Sequence, residues 1–584
     1  MSGGAFSIAQ AMQQAHAAYR QGALDACESS CAAVLQREPR HLDALTLTGA
    51  VRLARGDAAG ALACFTRTTE IDPRQAEGFS NRGVAQQALG RLDEAERSFR
   101  RALEIAPGHV DALYNLALVH GARGRWDEAR AAYRRVVQLA PGHAMAWNNL
   151  GNVLQKLRQP EEAVQCHRRA LELRPTLAEA WNNLGTALTG LKRFEEALRA
   201  YDEALRLRPR HADASLNRSS VLREMGRGDE ALAAARAGLE ADPSRADGYV
   251  HLGLGLEELG RFDEALHAYD EAIARPGEAE GRWNKALLLL LRGDYQRGWP
   301  LYEARWATPE LRDRVRHFPF PPWRGEDLAG KTLLLHAEQG AGDAIQFARY
   351  VPMLEARGAR LTLETPAALA PLLAPSFPSV RIAAPGASLE PHDFHCALGS
   401  LPLAFGTTLA SIPGSDGYLR VEEERRREWR ERLGGGARRR IGLAWSGNPQ
   451  HRNDHKRSIP LASLAPLLAI DADFHSLQKD IRASDRAAAE AAPRLRAWGD
   501  QLADFADTAA LIDAMDLVIT VDTSVAHLAG ALAKPTWLLV PTKPDWRWML
   551  ERADSPWYAS VRIFRQSAPG EWAPVIEEVC SQLR

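Results

Sequence analysis

Two stretches carry groups suited to handling a phosphorylated substrate. The first, Asp516 to Val540, reads DLVITVDTSVAHLAGALAKPTWLLV. Leu517 to Val521 is a short, branched, nearly all-apolar run, the pattern of a strand buried on both faces. It stops at Asp522-Thr523-Ser524, three helix-capping types, and an apolar helical pattern (Val525, Leu528, Ala529, Leu532) follows at once. A helix starting there leaves unpaired N–H groups and partial positive charge at the carboxyl edge of a sheet, where phosphates bind in such folds. His527 lies four residues after Thr523, on the same side of the first turn. The competing account is an ordinary capped helix with a packed histidine.

The second stretch is Gln339-Gly340-Ala341-Gly342-Asp343, between a strand pattern at Lys331 to Ala337 and a helical pattern through Ile345, Phe347, Ala348, Val351 and Leu354. Glycines let backbone approach a ligand, and Asp343 comes at the start of the helix facing the cleft. A carboxylate there also serves simply as a favourable cap. A third start follows Arg440. The strand IGLAW contains Trp445 and runs into Ser446-Gly447-Asn448-Pro449, then the basic polar loop HRNDHKRSIP with Lys456 and Arg457. Asp471-Ala472-Asp473 has metal-like spacing but leads into a strand; it reads as a loop, and no metal site is expected.

These pieces need an alternating α/β scaffold. Arg360 to Glu364 and Trp537 to Val540 read as further strands, as do Asp473 to Leu477 and a stretch near Trp498. Helices are expected through Ala488 and from Asp507 to Met515. The last helix, Pro574 to Leu583, is expected to pack back across the first lobe. Two doubly wound lobes result, 331–433 and 437–584, with a cleft between them. Before them, residues 307–330 lose all periodicity. Pro319, Pro321 and Pro322 forbid a helix, and Phe318, Phe320 and Trp323 predict a strap packed on a surface.

Residues 1–306 are a repeat. Prolines at 39, 73, 107, 141, 175, 209 and 243 are all 34 apart. Ala61, Ala95, Ala129, Ala163, Ala197, Ala231 and Ala265 keep the same phase, where two helices must approach. Phe65, Phe99, Tyr133, Tyr201 and Tyr269 fill the hole four residues later; Gly49, Gly83, Gly151, Gly185 and Gly253 mark the contact on the first helix. From about Ile8 to about Pro276 the chain resembles the tetratricopeptide family, eight units in phase, with a degenerate ninth (Trp283 to Trp306) as a cap. The resemblance implies an all-α solenoid with a concave face. Asn81, Asn115, Asn149, Asn183 and Asn217 recur at the same interval, although Asn is a mediocre helix former. Their amides can hold an extended peptide or tie adjacent repeats together; both accounts stay open at this point.

The 584 residues suffice for two to four domains. With 73 basic against 74 acidic residues, net charge points to neither a nucleic-acid nor a membrane-surface partner. No apolar run reaches the roughly 18 residues of a membrane span. The stretch MSGGAFSIAQAMQQAH lacks the basic start and apolar core of a signal peptide. Six cysteines without CxxC spacing predict reduced side chains and a cytoplasmic location.

Residues from about Thr332 to Arg584 resemble two-lobed GT-B glycosyltransferases of the heptosyltransferase kind (glycosyltransferase family 9). The matching pieces are Gly342-Asp343, the Lys456-Arg457 loop, and Asp522-Thr523-x-x-x-His527. The layout as a whole is similar to bacterial tetratricopeptide glycosyltransferases and, more loosely, to O-linked N-acetylglucosamine transferases. The resemblance implies a metal-independent hexosyl- or heptosyltransferase with no cofactor, taking a nucleotide-sugar as co-substrate. Asp343 would be the base for an acceptor hydroxyl. Thr523, Ser524 and His527 would bind the donor diphosphate, with Asp522 orienting the turn or meeting donor hydroxyls. Lys456 or Arg457 would neutralise the leaving nucleotide. Trp445 and Asn448 would line the cleft, and Trp546 or Trp548 would support a base or sugar. Gln339 and the five asparagines are the acceptor-side candidates, for a protein or peptide held by the repeats. Asp-Thr-Ser replaces the family's Asp-Thr-Gly, and Ala341 stands where a hydroxyl is common, so the donor sugar is left unassigned. The alternative is a non-catalytic scaffold with a vestigial transferase domain.

Overall fold

The computed structural model describes residues 7–584 except 278, 310, 415 and 452, so residues 1–6 of the amino-terminal stretch and Arg452 of the basic loop lie outside the described residues. The chain gathers into two compact units, Met1–Asp242 and Pro243–Arg584.

The first unit is helical throughout: fourteen helices in seven antiparallel pairs, from Ile8–Arg20 to Gly228–Ala241. The sequence period is a packing period. Ala61, Ala95, Ala129, Ala163, Ala197 and Ala231 are fully buried. A Cβ added at Gly49, Gly83 or Gly185 would fall 2.6, 2.6 and 2.5 Å from ring carbons of Phe65, Phe99 and Tyr201, so no larger residue fits. The turn inside each pair needs a left-handed residue. Glycine supplies it at 22, 56, 90, 124 and 226, while Arg158 and Lys192 are forced to φ 58° and 57° in theirs. Cys27, Cys31, Cys64 and Cys166 are free and buried.

One repeat departs from the rest. Opposite Gly151 the ring is His167, fully buried. Its Nδ1 lies 3.1 Å from Asn148 Oδ1 and its Nε2 3.0 Å from Gln155 Nε2. One donor and one acceptor match a neutral imidazole, and burial lowers its pKa to about 4.

In the second unit two more helix pairs, Ala246–Glu258 with Phe262–Ile273 and Ala279–Leu291 with Tyr295–Tyr302, precede two parallel sheets. The first sheet comprises β1 (Thr332–His336), β2 (Arg360–Glu364), β3 (Arg381–Ala383) and β4 (Phe394–Ala397), in the order β3-β2-β1-β4. The second comprises β5 (Arg440–Ala444), β6 (Asp473–Ser476), β7 (Leu495–Arg496), β8 (Leu517–Val521), β9 (Thr536–Val540) and β10 (Val561–Arg565), in the order β10-β9-β8-β5-β6-β7. All pairings are parallel. In both sheets the order reverses beside the first strand, between β1 and β4 and between β5 and β8. Each switch point opens a crevice at the carboxyl ends of the strands.

The degenerate pair is bolted to the sheets by aromatics. The Trp299 indole donates to the Thr407 carbonyl at 2.9 Å, and that of Trp557 to the Tyr295 hydroxyl at 2.9 Å. The strap runs along β4: the amide of Trp323 donates to His395 O, and that of His395 to Pro321 O. Phe318 stacks over His336 and His395 on the sheet face beneath. The carboxy-terminal helix, Ala573–Leu583, does not cross to the first lobe as the sequence suggested. Its stripe of Val575, Ile576, Val579 and Cys580 continues the apolar core of the six-stranded sheet with Leu443, Leu464 and Leu467. Among the described residues no helix is long and apolar enough to cross a membrane.

His167 gives the first unit an acid-sensitive element. An imidazole depressed from about 6.5 to about 4 is neutral in the fold and takes up a proton on unfolding between those values. Its contribution is therefore complete above about pH 6.5, declines as pH falls towards 4 and is flat below. His167→Tyr, the residue of the next repeat, should flatten this part of the stability–pH profile in urea melts, whatever it does to stability at neutral pH. An unchanged slope would show that the ring is protonated in the fold.

Candidate functional site

The site is built where two helix starts meet. β1 ends at His336, and the chain turns through Gln339 and Gly340 into the helix Ala341–Phe347. β8 ends at Val521 and turns through Asp522 into the helix Ser524–Ala531, capped by Thr523, whose hydroxyl accepts from the Val525 amide at 3.3 Å. The helices pack start against start. A Cβ at Gly342 would lie 2.9 Å from His527 Cδ2 and 3.5 Å from Ser524 Cα. Asp343 and the 522–527 turn therefore share one cleft.

Asp343 is held on both oxygens. Oδ2 accepts from the Gly340 amide at 3.0 Å, while Oδ1 accepts from Arg547 Nη2. The side chain stays one-quarter exposed, and each carboxylate oxygen keeps an acceptor site for a further partner. Arg547 itself is buried. Its Nε donates to Gln346 and its Nη1 to Asp545 Oδ1 at 2.8 Å. Burial works against its charge, but Asp545 and Asp343 together outweigh that and raise its pKa.

His527 stacks on Trp548, with centroids 5.4 Å apart, and its Nδ1 lies 2.9 Å from the Tyr558 hydroxyl. Burial, then the cations Arg547, Arg349 and Arg457, hold its pKa well below the ordinary value, so the ring is neutral. Burial and then the Asp545 carboxylate push the Asp522 carboxyl above the ordinary range, with Arg457 pulling the other way. Arg457 reaches the turn directly: Nη1 donates to the Asp522 carbonyl at 2.8 Å. Its own loop is a short helix, Asp454–Arg457, pinned by Arg482, which donates to Gly447 O at 2.8 Å and Asp454 Oδ2 at 2.6 Å.

Asp343, Asp522, Thr523, Ser524, His527 and Arg457 are thus brought together; others are not. Lys456 turns away to Glu258, 3.1 Å distant on the helix Ala246–Glu258, because a lysine at the cleft edge gains more from that carboxylate than from water. Trp445 does not line the cleft: it is buried in the core of the second lobe, and its indole donates to Asp485 Oδ2 at 2.9 Å. Asn448 is exposed, its Oδ1 accepting from the Gln450 amide at 3.0 Å in a local turn. Gln339 donates to the Tyr302 hydroxyl at 3.1 Å. Trp546 is packed among Tyr295, Trp299 and Trp557, and Trp548 against His527. Asp471 pairs with Arg438 and Arg494.

In the first unit all five ladder asparagines are half-buried. The Nδ2 of Asn149 donates to the Tyr114 hydroxyl at 3.0 Å, that of Asn183 to Asn148 at 3.2 Å, and that of Asn217 to Asn182 at 3.0 Å. Each partner belongs to the preceding repeat, so for these three the amide donor serves the stacking of repeats. Arg547, Gln346, Asp545 and Tyr558 have no pattern in the sequence that marks them. Only a cation within an aromatic run, DWRW, hinted at a buried charge.

Comparison with known proteins agrees with this layout. Residues 74–142, 109–176 and 142–210 match one tetratricopeptide repeat model, and 12–76, 190–246 and 251–307 a second. Residues 482–571 match glycosyltransferase family 9 (heptosyltransferase). The chain therefore carries tetratricopeptide repeats in its amino-terminal region and a glycosyltransferase family 9 domain near its carboxyl end. It is 30% identical over 346 residues to Protein FlbA of Caulobacter vibrioides, covering 54% of this chain and 57% of FlbA. Among solved structures it is similar to YrrB, a TPR protein described as having an unusual peptide-binding site (24% identity, 32% of this chain and 95% of that one, TM-score 0.29). It is also similar to MamA (25% identity, 28% and 90%, TM-score 0.26).

Three substitutions probe these contacts. Gly342→Ala inserts a methyl group where His527 leaves no space and should cost about 1–3 kcal/mol by overpacking. Gly340→Ala meets only Asp343 Oδ2, at the looser distance of 3.3 Å, and should cost less in the same denaturation series. Asn183→Ala should lower the urea midpoint by the equivalent of about 1 kcal/mol, the loss of one inter-repeat hydrogen bond. An unchanged midpoint would release that amide for ligand binding.

Proposed function

We propose that this pairing of tetratricopeptide repeats with a glycosyltransferase family 9 domain makes a metal-independent GT-B glycosyltransferase. It would move a hexose or heptose from a nucleotide-sugar to a hydroxyl, the acceptor being a protein or peptide held by the repeats, in the cytoplasm. The observation that carries this reading is the meeting of the two helix starts. One wall supplies a carboxylate, Asp343, and the other the N–H groups of Thr523 and Ser524 at the helix start with Arg457 bound to the Asp522 carbonyl.

In this reading the donor diphosphate lies at the start of the helix Ser524–Ala531, where the helix dipole and amides favour anions. Asp343 takes the proton from the acceptor hydroxyl as the acceptor oxygen forms its bond to the anomeric carbon. The bond from that carbon to the phosphate oxygen breaks, and its electron pair leaves on the nucleoside diphosphate. Positioned amides and the Arg457 cation stabilise that charge, work a metal ion does in other enzymes. Neutral His527 adds no charge and shapes the floor of the pocket against Trp548.

A panel of UDP-, GDP- and ADP-sugars separates this from a purely scaffolding role. At least one should raise the thermal midpoint, and nucleoside diphosphate should be released when acceptor protein is present. Asp343→Ala should lower turnover by about 10²-fold or more while the thermal shift survives. Turnover that persists in Asp343→Ala would remove the base assignment; absence of any shift across the panel would remove the donor site.

A further inference from the structure

Asp343 does not stand alone on its wall. The group that grips it comes from the opposite lobe: Arg547, in the loop after β9, reaches across to Asp343 Oδ1 on the helix Ala341–Phe347. Each nitrogen of that guanidinium has a partner, three of its five N–H groups being taken. Nη2 serves Asp343, Nη1 serves Asp545 and Nε serves Gln346 Oε1, while the flat face lies 4.3 Å over the Trp546 ring. The arginine is 6% exposed and cannot swing to another partner without breaking three hydrogen bonds.

We propose that Arg547 is the positioning residue of the reaction, holding the Asp343 carboxylate in one orientation with its open lone pairs towards the acceptor hydroxyl. This rests on the transferase reading above. Two features argue for positioning in place of phosphate binding. All three nitrogens already serve carboxylate or amide oxygens and the residue is 6% exposed, so the two N–H groups left over do not present an open fork to a diphosphate. One positive charge is also shared between two carboxylates, Asp343 and Asp545. Asp343 is held without being fully neutralised, as a group that must accept a proton requires. Arg457, by contrast, leaves its Nε without a hydrogen bond, 4.0 Å from Asp454 Oδ1, and its Nη1 stands at the phosphate turn, so the two arginines divide the work.

The charged and titratable neighbours that bear on this pair are Asp545 and Asp522 from the second lobe, Glu338 and Tyr302 beside the first helix, and Arg457 and His451 from the basic loop. A pH profile would mix their titrations. The discriminating measurement is therefore the split between kcat and donor KM, at fixed neutral pH.

The probe is whichever UDP-, GDP- or ADP-sugar shifts the wild-type thermal midpoint, with release of nucleoside diphosphate as the readout. In Arg547→Ala, kcat should fall about 10²-fold, the usual cost of a misplaced reacting group, while donor KM changes less than about threefold. Added guanidinium chloride at non-denaturing concentration should restore part of kcat. Arg547→Lys, which keeps the charge and the fold but loses the fork, should lie between. A rise in donor KM at constant kcat would make Arg547 a phosphate ligand and overturn the proposal. So would loss of activity in Arg547→Lys with no rescue of Arg547→Ala, which would leave a purely structural ion pair. Wild-type chain inert towards the whole panel would remove the transferase reading and this inference with it; turnover that depends on Asp343 but not on Arg547 would remove the inference alone.

Discussion

Gly342 has no side chain because there is no space for one. Its α-carbon faces His527 and Ser524 so closely that a single methyl group would collide. That contact sets the separation of the two lobes at the cleft. It brings a helix start from the first sheet, carrying Asp343, against a helix start from the second, capped by Thr523. Two positive helix ends facing one another repel, and the arrangement is stable only with negative charge between them. Asp343, Asp522 and Asp545 supply it. Burial and then the neighbouring Asp545 raise the Asp522 carboxyl, with Arg457 pulling the other way.

The cations around the corner are graded by what they can reach. Arg547 is buried and bound to three acceptors, which suits holding a side chain still. Arg457 touches the turn through one backbone carbonyl, which suits meeting a ligand. Lys456, one residue earlier, points the other way to Glu258, and Lys543 pairs with Glu257 on the same helix. Lysine is a point charge on a flexible stem and is drawn to the nearest carboxylate; arginine is retained where geometry matters. Hence the adjacent residues Lys456 and Arg457, equivalent in sequence, do different work.

Much of this architecture was legible in the sequence because it rests on periodicity. A proline every 34 residues, alanine in fixed phase and an aromatic four places later leave little but stacked helical pairs, and the pairs are there. The strands Arg360–Glu364 and Leu517–Val521 match their expected limits because the first alternates polar and apolar residues after Gly358 and the second is a branched, nearly all-apolar run ending at Asp522. β3 and β4 were not legible. They are three and four residues long, and β4 carries His395, which sits under the Phe318 strap and not in an apolar core. Parallel pairing satisfies their backbones whatever the side chains are. The site was half legible for the same reason: capping residues announce a helix start, whereas Trp445 looks identical whether it lines a cleft or donates to a buried aspartate.

The contacts of the last full helix pair carry the argument one step further. Glu257 and Glu258 close the helix Ala246–Glu258, and their partners Lys543 and Lys456 sit in the loops that follow β9 and β5. Lys543 is four residues from Arg547, and Lys456 adjoins Arg457. Both loops that deliver arginines to the cleft are therefore anchored on a tetratricopeptide helix and not only on their own lobe. An ion pair with one buried partner, as at Glu257, is costly to break because the buried carboxylate would be left with no cation and only the Tyr269 hydroxyl. The orientation of the two arginines thus depends on that helix keeping its place. This gives the repeats a structural role in the site that is separate from any polypeptide they hold.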